Sequence, residues 1–392
     1  MHRLNQRIAK ALEERSSRGL YRQRTCLERH NEQVISGGSA LLNFSSNDYL
    51  GLAQSPELIA AWQSGLTKFG AGSGASPLVT GYHQPHQYFE AQLAEWLGFE
   101  RALLFSSGFS ANQAVLFSLL QQGDHLIQDK LNHASLIEAG MLSEANMRRF
   151  AHNDLTALSR TLSRLELAGC SEQSPMAKFV VTEGVFSMDG DLSPLADIQA
   201  LCRETSSVLM VDDAHGCGVL GENGKGSCDL AGVTPDILVI TFGKAFGMQG
   251  AAVLCNHDIA EYLTQFARHF VYSTAMPPAQ AYALSTACNM IQADEWRREK
   301  LTELSQVLEG GLDNDIVFEN TMSPIKPLLI GQSDEAMRIS SALREQGFWV
   351  SAIRPPTVPT NSARLRITLT VSHQKSDVRR LAMAINEVFH GG

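Results

Sequence analysis

The sequence is poor in the features that define several protein classes. Only 19% of its 392 residues are charged, and 32 Lys and Arg face 41 Asp and Glu, a formal charge of −9. That is the wrong sign for gripping phosphate backbones or anionic lipid, so no nucleic acid and no membrane surface is expected as a partner. No stretch approaches the roughly 18 consecutive apolar residues of a membrane-spanning helix. The segment from Met1 to Gly19 is interrupted by Arg3, Arg7, Lys10, Glu13, Glu14, Arg15 and Arg18, so it lacks the apolar run of a secretory signal. The cysteines, Cys26, Cys170, Cys202, Cys217, Cys228, Cys255 and Cys288, form no C-x-x-C pair and are odd in number. They read as reduced core thiols of a cytoplasmic protein. Repeats and low-complexity tracts are absent too, and 44% hydrophobic residues place the chain in the folded, globular class.

What is present is a strand-and-helix alternation. Leu4, Ile8, Ala11 and Leu12 at helical spacing among charges predict an amphipathic arm that ends near Gly19 and lies on something larger. A short apolar run, Leu41 to Phe44, stops at a polar turn. From about Gln54 to Ala281, Val/Ile/Leu-rich runs alternate with longer helical patterns, the signature of a mostly parallel sheet flanked by helices on both faces. Beyond it, the alternating Arg364 to Thr370 predicts a half-exposed antiparallel strand in a smaller C-terminal α+β domain. The division expected is 1–50 for the helical arm and strand, 51–285 for an α/β catalytic domain and 286–392 for the C-terminal α+β domain.

Ligands of open α/β sheets bind beyond the carboxyl ends of the strands, so the polar residues that follow each apolar run are informative. Ala102 to Phe105 leads into Ser106-Ser107-Gly108-Phe109 and a helical pattern, whose start offers free N–H groups to an anion. Phe179 to Val181 leads to Thr182-Glu183 and then Ser187-Met188-Asp189-Gly190. Val208 to Val211 leads to Asp212-Asp213-Ala214-His215, and Ile237 to Ile240 to Thr241-Phe242-Gly243-Lys244. The last three clusters recur at about the 30-residue interval of a strand-helix-strand unit and should share one rim. Read alone, Lys244 is a solvated loop lysine and Asp212-Asp213 a helix cap. Together they suit pyridoxal 5′-phosphate, whose phosphate needs a helix start, whose aldehyde needs an amine and whose ring nitrogen needs a carboxylate.

Other motifs fall short. His83 and His86 have an i, i+3 spacing, but Pro85 spoils a helix there and no further ligand follows, so no metal is expected. Gly221 to Ser227 fails the Gly-Lys-Ser/Thr adjacency of a phosphate loop and reads as a flexible loop. Without a Gly-x-Ser-x-Gly elbow, a hydrolase is rejected.

These residues resemble a known family, the α-oxoamine synthases, pyridoxal phosphate enzymes of fold type I. The likeness runs through Asn43 to Leu52, Ser107 to Phe109, Asn132 to Ser135, Thr182 to Gly190, Asp212 to Gly216, Thr241 to Lys244 and Ile353 to Pro359. The Arg354 to Pro359 segment resembles the members of the biotin route more than their glycine-using relatives. The resemblance implies that Lys244 binds the cofactor aldehyde, Asp212 pairs with the ring nitrogen, His215 bonds near the ring hydroxyl and His133 stacks on the ring. It implies that Gly108, Phe109, Ser187 and Thr241 hold the phosphate, with Thr274 from a partner subunit, because the family's site is shared in a homodimer. Substrate contacts would come from Arg354, for the amino-acid carboxylate, and from Thr357, His133 and Arg22, with Arg24 as the alternative to Arg22.

The implied activity is that of an acyltransferase: decarboxylative condensation of L-alanine with a pimeloyl thioester, carried by coenzyme A or acyl carrier protein, to 8-amino-7-oxononanoate. Condensation of glycine with acetyl-CoA is the alternative within the family, and a non-catalytic cofactor-binding scaffold the alternative outside it. Met248-Gln249 depart from the smaller residues usual after the family's lysine.

Overall fold

The computed structural model describes residues 2–30, 32–169, 176–319 and 321–391; Cys170 lies outside them. Three sheets organise the chain. The first is built from β1 (Glu28–His30), β2 (Gln33–Ser36) and β3 (Ser39–Asn43). The central sheet contains β4 (Arg101–Phe105), β5 (His125–Asp129), β6 (Asn146–Phe150), β7 (Lys178–Glu183), β8 (Val208–Asp212), β9 (Ile237–Thr241) and β10 (Ala251–Cys255). Then come β11 (Ile325–Gly331), β12 (Phe348–Trp349), β13 (Ser351–Ile353) and β14 (Ala363–Thr368).

The central order is β4-β10-β9-β8-β7-β5-β6. The five strands from β9 to β6 run parallel, and β10 alone opposes its neighbours β4 and β9. The short Val/Ile/Leu runs have this arrangement because both faces of the sheet are covered. Val180, Leu209, Val211, Leu238 and Ile240 belong to one apolar core, and Phe179, Val181, Met210, Ile237 and Val239 to another on the opposite face. All are buried, each contributing about 1.5–3 kcal/mol.

Helices on the two faces begin where the sequence supplies caps: Ser107 accepts from Ser110 N at 3.1 Å, Asp154 from Ala157 N at 2.9 Å and Asn256 from Ile259 N at 2.9 Å. The helix Pro278–Ala293 packs on Pro56–Phe69 and Gln84–Leu97. It runs through position 285, where the sequence analysis divides the chain.

The smaller C-terminal unit is antiparallel, in the order β11-β14-β13. It is joined to the N-terminal residues, since β12 pairs with β3 in parallel and Thr368 N donates to Phe44 O at 2.8 Å. Two expectations need correction. β14 is antiparallel but not half-exposed: Arg364, Arg366, Thr368 and Thr370 are all buried, because their side of the strand faces the large domain instead of water. Pro85 spoils no helix, since it occupies the first turn of Gln84–Leu97, where a missing N–H costs nothing. The arm forms the helix His2–Ser17, and its apolar stripe of Leu4, Ile8 and Leu12 is exposed in the single chain. Among the described residues no helix is long and apolar enough to cross a membrane.

Candidate active site

Strands β7, β8 and β9 are neighbours, and their carboxyl ends open into one cavity of about 250 Å³. Parallel pairing sets Glu183 beside Asp212, and Lys244 follows three residues after β9. Lys244 comes into the cavity on a tight turn whose last residue, Gly247, has φ +70° and lies too close to Leu52-Ala53 for any Cβ. Also lining the cavity are Gly108, Phe109, His133, Asp212, His215 and Thr241, so seven of the residues singled out from sequence meet in one place.

Asp212 is fixed on both oxygens. Asn112 Nδ2 donates to Oδ2 at 2.7 Å, and Ala214 N to Oδ1 at 3.1 Å. Asn112 Nδ2 also donates to Ser135 Oγ at 2.9 Å, which leaves the Ser135 hydroxyl to donate to His133 Nδ1 at 2.8 Å. The chain Asp212–Asn112–Ser135–His133 thereby sets the His133 ring and places its proton on Nε2. Partial desolvation holds that imidazole below its ordinary value. His215 is buried and hydrogen-bonded through Nδ1 to the Tyr49 hydroxyl at 2.7 Å; desolvation and the Lys244 charge push it well below the usual histidine range.

Desolvation also dominates at Lys244. It outweighs the attraction of Asp212 and Glu183 and brings the ammonium down to about 8. Glu183 is 2% exposed, and burial beside Asp212 drives its carboxyl well above the usual range. Asp213, behind the rim, rises to about 7 through burial, against the hydrogen bonds from Ser227 N and Oγ at 2.8 and 2.6 Å. Gly216 and Gly226 press against its carboxylate, so the glycine-rich segment 221–227 is a packed support and not a flexible loop.

The residues present fit pyridoxal phosphate. Thr241 Oγ1 is buried without a hydrogen-bond partner among the described residues, and it sits by the start of the helix Gly108–Leu119. A Cβ at Gly108 would come within 2.5 Å of the Thr241 methyl, so only glycine permits this approach. An unpartnered hydroxyl beside a helix start suits a phosphate, and an anchored carboxylate with a low amine suits the ring and aldehyde.

Five expected residues, Arg22, Thr274, Thr357, Arg354 and Ser187, do not line this cavity. Arg22, Thr274 and Thr357 are exposed elsewhere. Arg354 donates to Gly19 O at 2.8 Å and lines a separate cavity of about 650 Å³ with Arg18 and Pro355. Ser187 adjoins the site through its backbone, its carbonyl accepting from Arg366 Nε at 2.6 Å. Arg366 also donates through Nη1 and Nη2 to Asn47 Oδ1, both at 3.1 Å, and Asn47 lines the cavity. Its guanidinium is near enough to depress Lys244 and His215 further. The sequence analysis missed Arg366, Asn47, Asn112, Ser135 and Tyr49 as functional groups; Arg366 had shown itself only as the polar phase of an alternating strand. Gln249 lines the cavity, whereas Met248 packs into the core. His86 is engaged within the fold, with Nδ1 accepting from His83 N at 2.9 Å and Nε2 donating to Met276 O at 2.7 Å.

Comparison with known proteins agrees with this geometry. The family model "Aminotransferase class I and II" matches residues 39–385. The 8-amino-7-oxononanoate synthase of Photobacterium profundum is 63% identical over 99% of this chain and 98% of its own length. That of Vibrio cholerae is 57% identical over 98% of both chains. Among solved structures, serine palmitoyltransferase from S. paucimobilis with bound pyridoxal phosphate and myriocin superposes with a TM-score of 0.89, at 26% identity over 98% of this chain and 97% of that one. The 8-amino-7-oxononanoate synthase of Francisella tularensis superposes with a TM-score of 0.74, at 31% identity over 88% and 97%. The chain belongs to the class I and II aminotransferase family and, within it, to the 8-amino-7-oxononanoate synthases.

Proposed function

We propose that the protein condenses L-alanine with a pimeloyl thioester to give 8-amino-7-oxononanoate, carbon dioxide and the free carrier, with pyridoxal phosphate as cofactor. The observation that carries this reading is the lowered Lys244 amine beside an anchored Asp212 in one cavity. When bound, the cofactor supplies an aldehyde for amines and a ring that accepts the electron pair left at the substrate α-carbon.

Asp212 would keep the proton on the ring nitrogen, and the bonds from Asn112 and Ala214 prevent it from turning away. Thr241 and the N–H groups of Gly108 and Phe109 would hold the phosphate with Ser187, and Thr274 would add to them from a second copy of the chain. His133 would stack on the ring, and His215 would bond near its hydroxyl. With the cofactor bound, the Lys244 amine would be the base placed to take the α-proton of alanine; an amine lowered to about 8 is roughly one-tenth neutral at pH 7. Arg366 holds the alanine carboxylate through its planar fork. Arg354 joins it when its contact with Gly19 is released, with Thr357 and Arg22 on the acyl side.

The exposed Leu4, Ile8, Leu12, Phe109 and Tyr272 supply apolar surface for the homodimer in which Thr274 reaches a neighbouring site. The acyl carrier is coenzyme A or an acyl carrier protein. The domain division is read as 1–50, 51–285 and 286–392.

The test is turnover of alanine plus pimeloyl thioester against glycine plus acetyl-CoA, together with borohydride reduction and peptide mapping. Release of free thiol with the first pair and a label on residue 244 are expected. Preference for the second pair overturns the substrate assignment, and no α-proton exchange of alanine in deuterated water overturns the catalytic one.

A further inference from the structure

A half-buried polar cluster lies beyond the carboxyl ends of β5 and β6 and takes no part in the chemistry above. Its centre is His152, just after β6. Nδ1 donates to Asp129 Oδ1 at 3.0 Å and Nε2 donates to Asp191 Oδ2 at 2.8 Å, while the ring meets Phe186 edge-on with centroids 4.4 Å apart. Partial burial opposes a charge on this ring, but the bonds to Asp129 and then Asp191 outweigh it, and the imidazole rises to about 9.

Each carboxylate commands a different active-site turn. Asp129, fully buried at the end of β5, accepts from Leu131 N at 2.8 Å, and Asn132 N donates to its carbonyl at 3.3 Å. These bonds shape the turn that delivers His133. Asp191 lies in the turn closed by the bridge between Val185 and Leu192, where Phe186 N donates to Asp191 O at 3.0 Å and Gly190 N to Phe186 O at 2.8 Å. That turn carries Ser187, whose carbonyl holds Arg366. Asn153 reinforces the junction: its N donates to Asp129 Oδ2 at 2.8 Å, and its Nδ2 to Asp191 Oδ2 at 2.9 Å and Leu192 O at 3.1 Å.

We propose that His152 is a positioning residue, a two-point bridge that sets the His133 turn and the Ser187 turn at a fixed separation. The turns approach the cavity from different strands, and the ring that joins Asp129 to Asp191 spans the gap with one rigid group. The role assigned to His133 and Ser187 rests on the function proposed above.

The experiment measures amide hydrogen exchange in the full-length chain without cofactor, for wild type, His152→Gln and Asp191→Ala, followed by pyridoxal phosphate titration. A single amide nitrogen cannot span both carboxylates, so H152Q loses protection at residues 131–135 and 184–192 together, keeps it at 208–212, and binds the cofactor about tenfold more weakly or worse. D191A loosens 184–192 alone, and the double variant binds no more weakly than H152Q. Loosening confined to one turn in H152Q, unchanged cofactor affinity, or losses that simply add in the double variant would overturn the bridge. If H152Q does not fold, D191A decides: tight 184–192 protection in it refutes the proposal. Borohydride labelling of wild type at residue 244 is run in parallel, so a failed label counts against the functional reading and leaves the exchange result standing.

Discussion

The titration of Lys244 tests the chemistry most directly. An ordinary lysine at 10.5 has roughly one amine in 3,000 neutral at pH 7. At about 8 the fraction is roughly one in ten, a gain of about 300-fold. Only the neutral amine is a nucleophile or a base. The apoprotein, treated with trinitrobenzenesulfonate for short times and mapped by mass spectrometry, should modify residue 244 about fivefold faster at pH 8 than at pH 7, with a plateau above about pH 9. An ordinary lysine would keep gaining about tenfold per pH unit across that range. Asp212→Asn removes an attraction that favours the ammonium and moves the Lys244 midpoint below 8; Glu183→Gln moves it less, because the attraction of Glu183 is the smaller of the two. The stability of the apoprotein follows the same sign. The unfolded lysine holds a proton that the folded one has lost between about 8 and 10.5, so this group's contribution rises with pH over that window. A rate at residue 244 that climbs about tenfold per pH unit without a plateau would refute the lowered amine.

Asn112→Leu leaves Asp212 Oδ2 without its 2.7 Å donor; a hydrogen bond to a charged group is worth about 1.5–3 kcal/mol, so pyridoxal phosphate binding, followed by equilibrium dialysis, should weaken roughly 10- to 100-fold. Arg366→Gln removes the fork that holds Ser187 O and Asn47, and steady-state kinetics should show KM for alanine up about tenfold or more with a smaller loss of kcat; an unchanged KM would mean another group takes the carboxylate. Gly247→Ala forces φ +70° on an L side chain with its Cβ within 2.7 Å of the Leu52 carbonyl carbon, and the urea midpoint should report about 2–4 kcal/mol of lost stability. His152 acts with a sign opposite to Lys244. Raised from 6.5 to about 9, it stabilises the fold fully below pH 6.5 and loses that contribution as pH rises through 9, so H152Q should flatten the alkaline limb of a thermal-melt profile.

The parallel sheet was legible because its cause is local. A strand buried on both faces must be apolar throughout, as Val180 and Val181 are, and the turns that follow β7, β8 and β9 must then carry the polar residues. Lys244, Asp212 and His215 were visible for that reason. Asn112 and Ser135 were not. Each is a small polar residue within a helical pattern, and nothing local distinguishes a surface amide from one that bonds to Asp212 100 positions away. Arg22, Arg354, Thr357 and Thr274 illustrate the converse: motif resemblance grouped them with a site from which this chain, taken singly, holds them apart.

The misreading of β14 follows from the same limit. An alternation of polar and apolar residues says that two faces differ, but not that the polar face meets water. Burying Arg364 and Arg366 without partners would cost several kcal/mol per charge. Here Asp189 pairs with Arg364, and Ser187 O and Asn47 Oδ1 take Arg366. Asn47 lines the cofactor cavity, and Ser187 and Asp189 lie in the turn that follows β7, so the charges that appear to solubilise a C-terminal strand instead fasten the smaller sheet to the large domain. That attachment is why a guanidinium that acts on Lys244 comes from a residue more than 120 positions downstream of it, and why the C-terminal unit braces the residues around the site and is not an appendage to them.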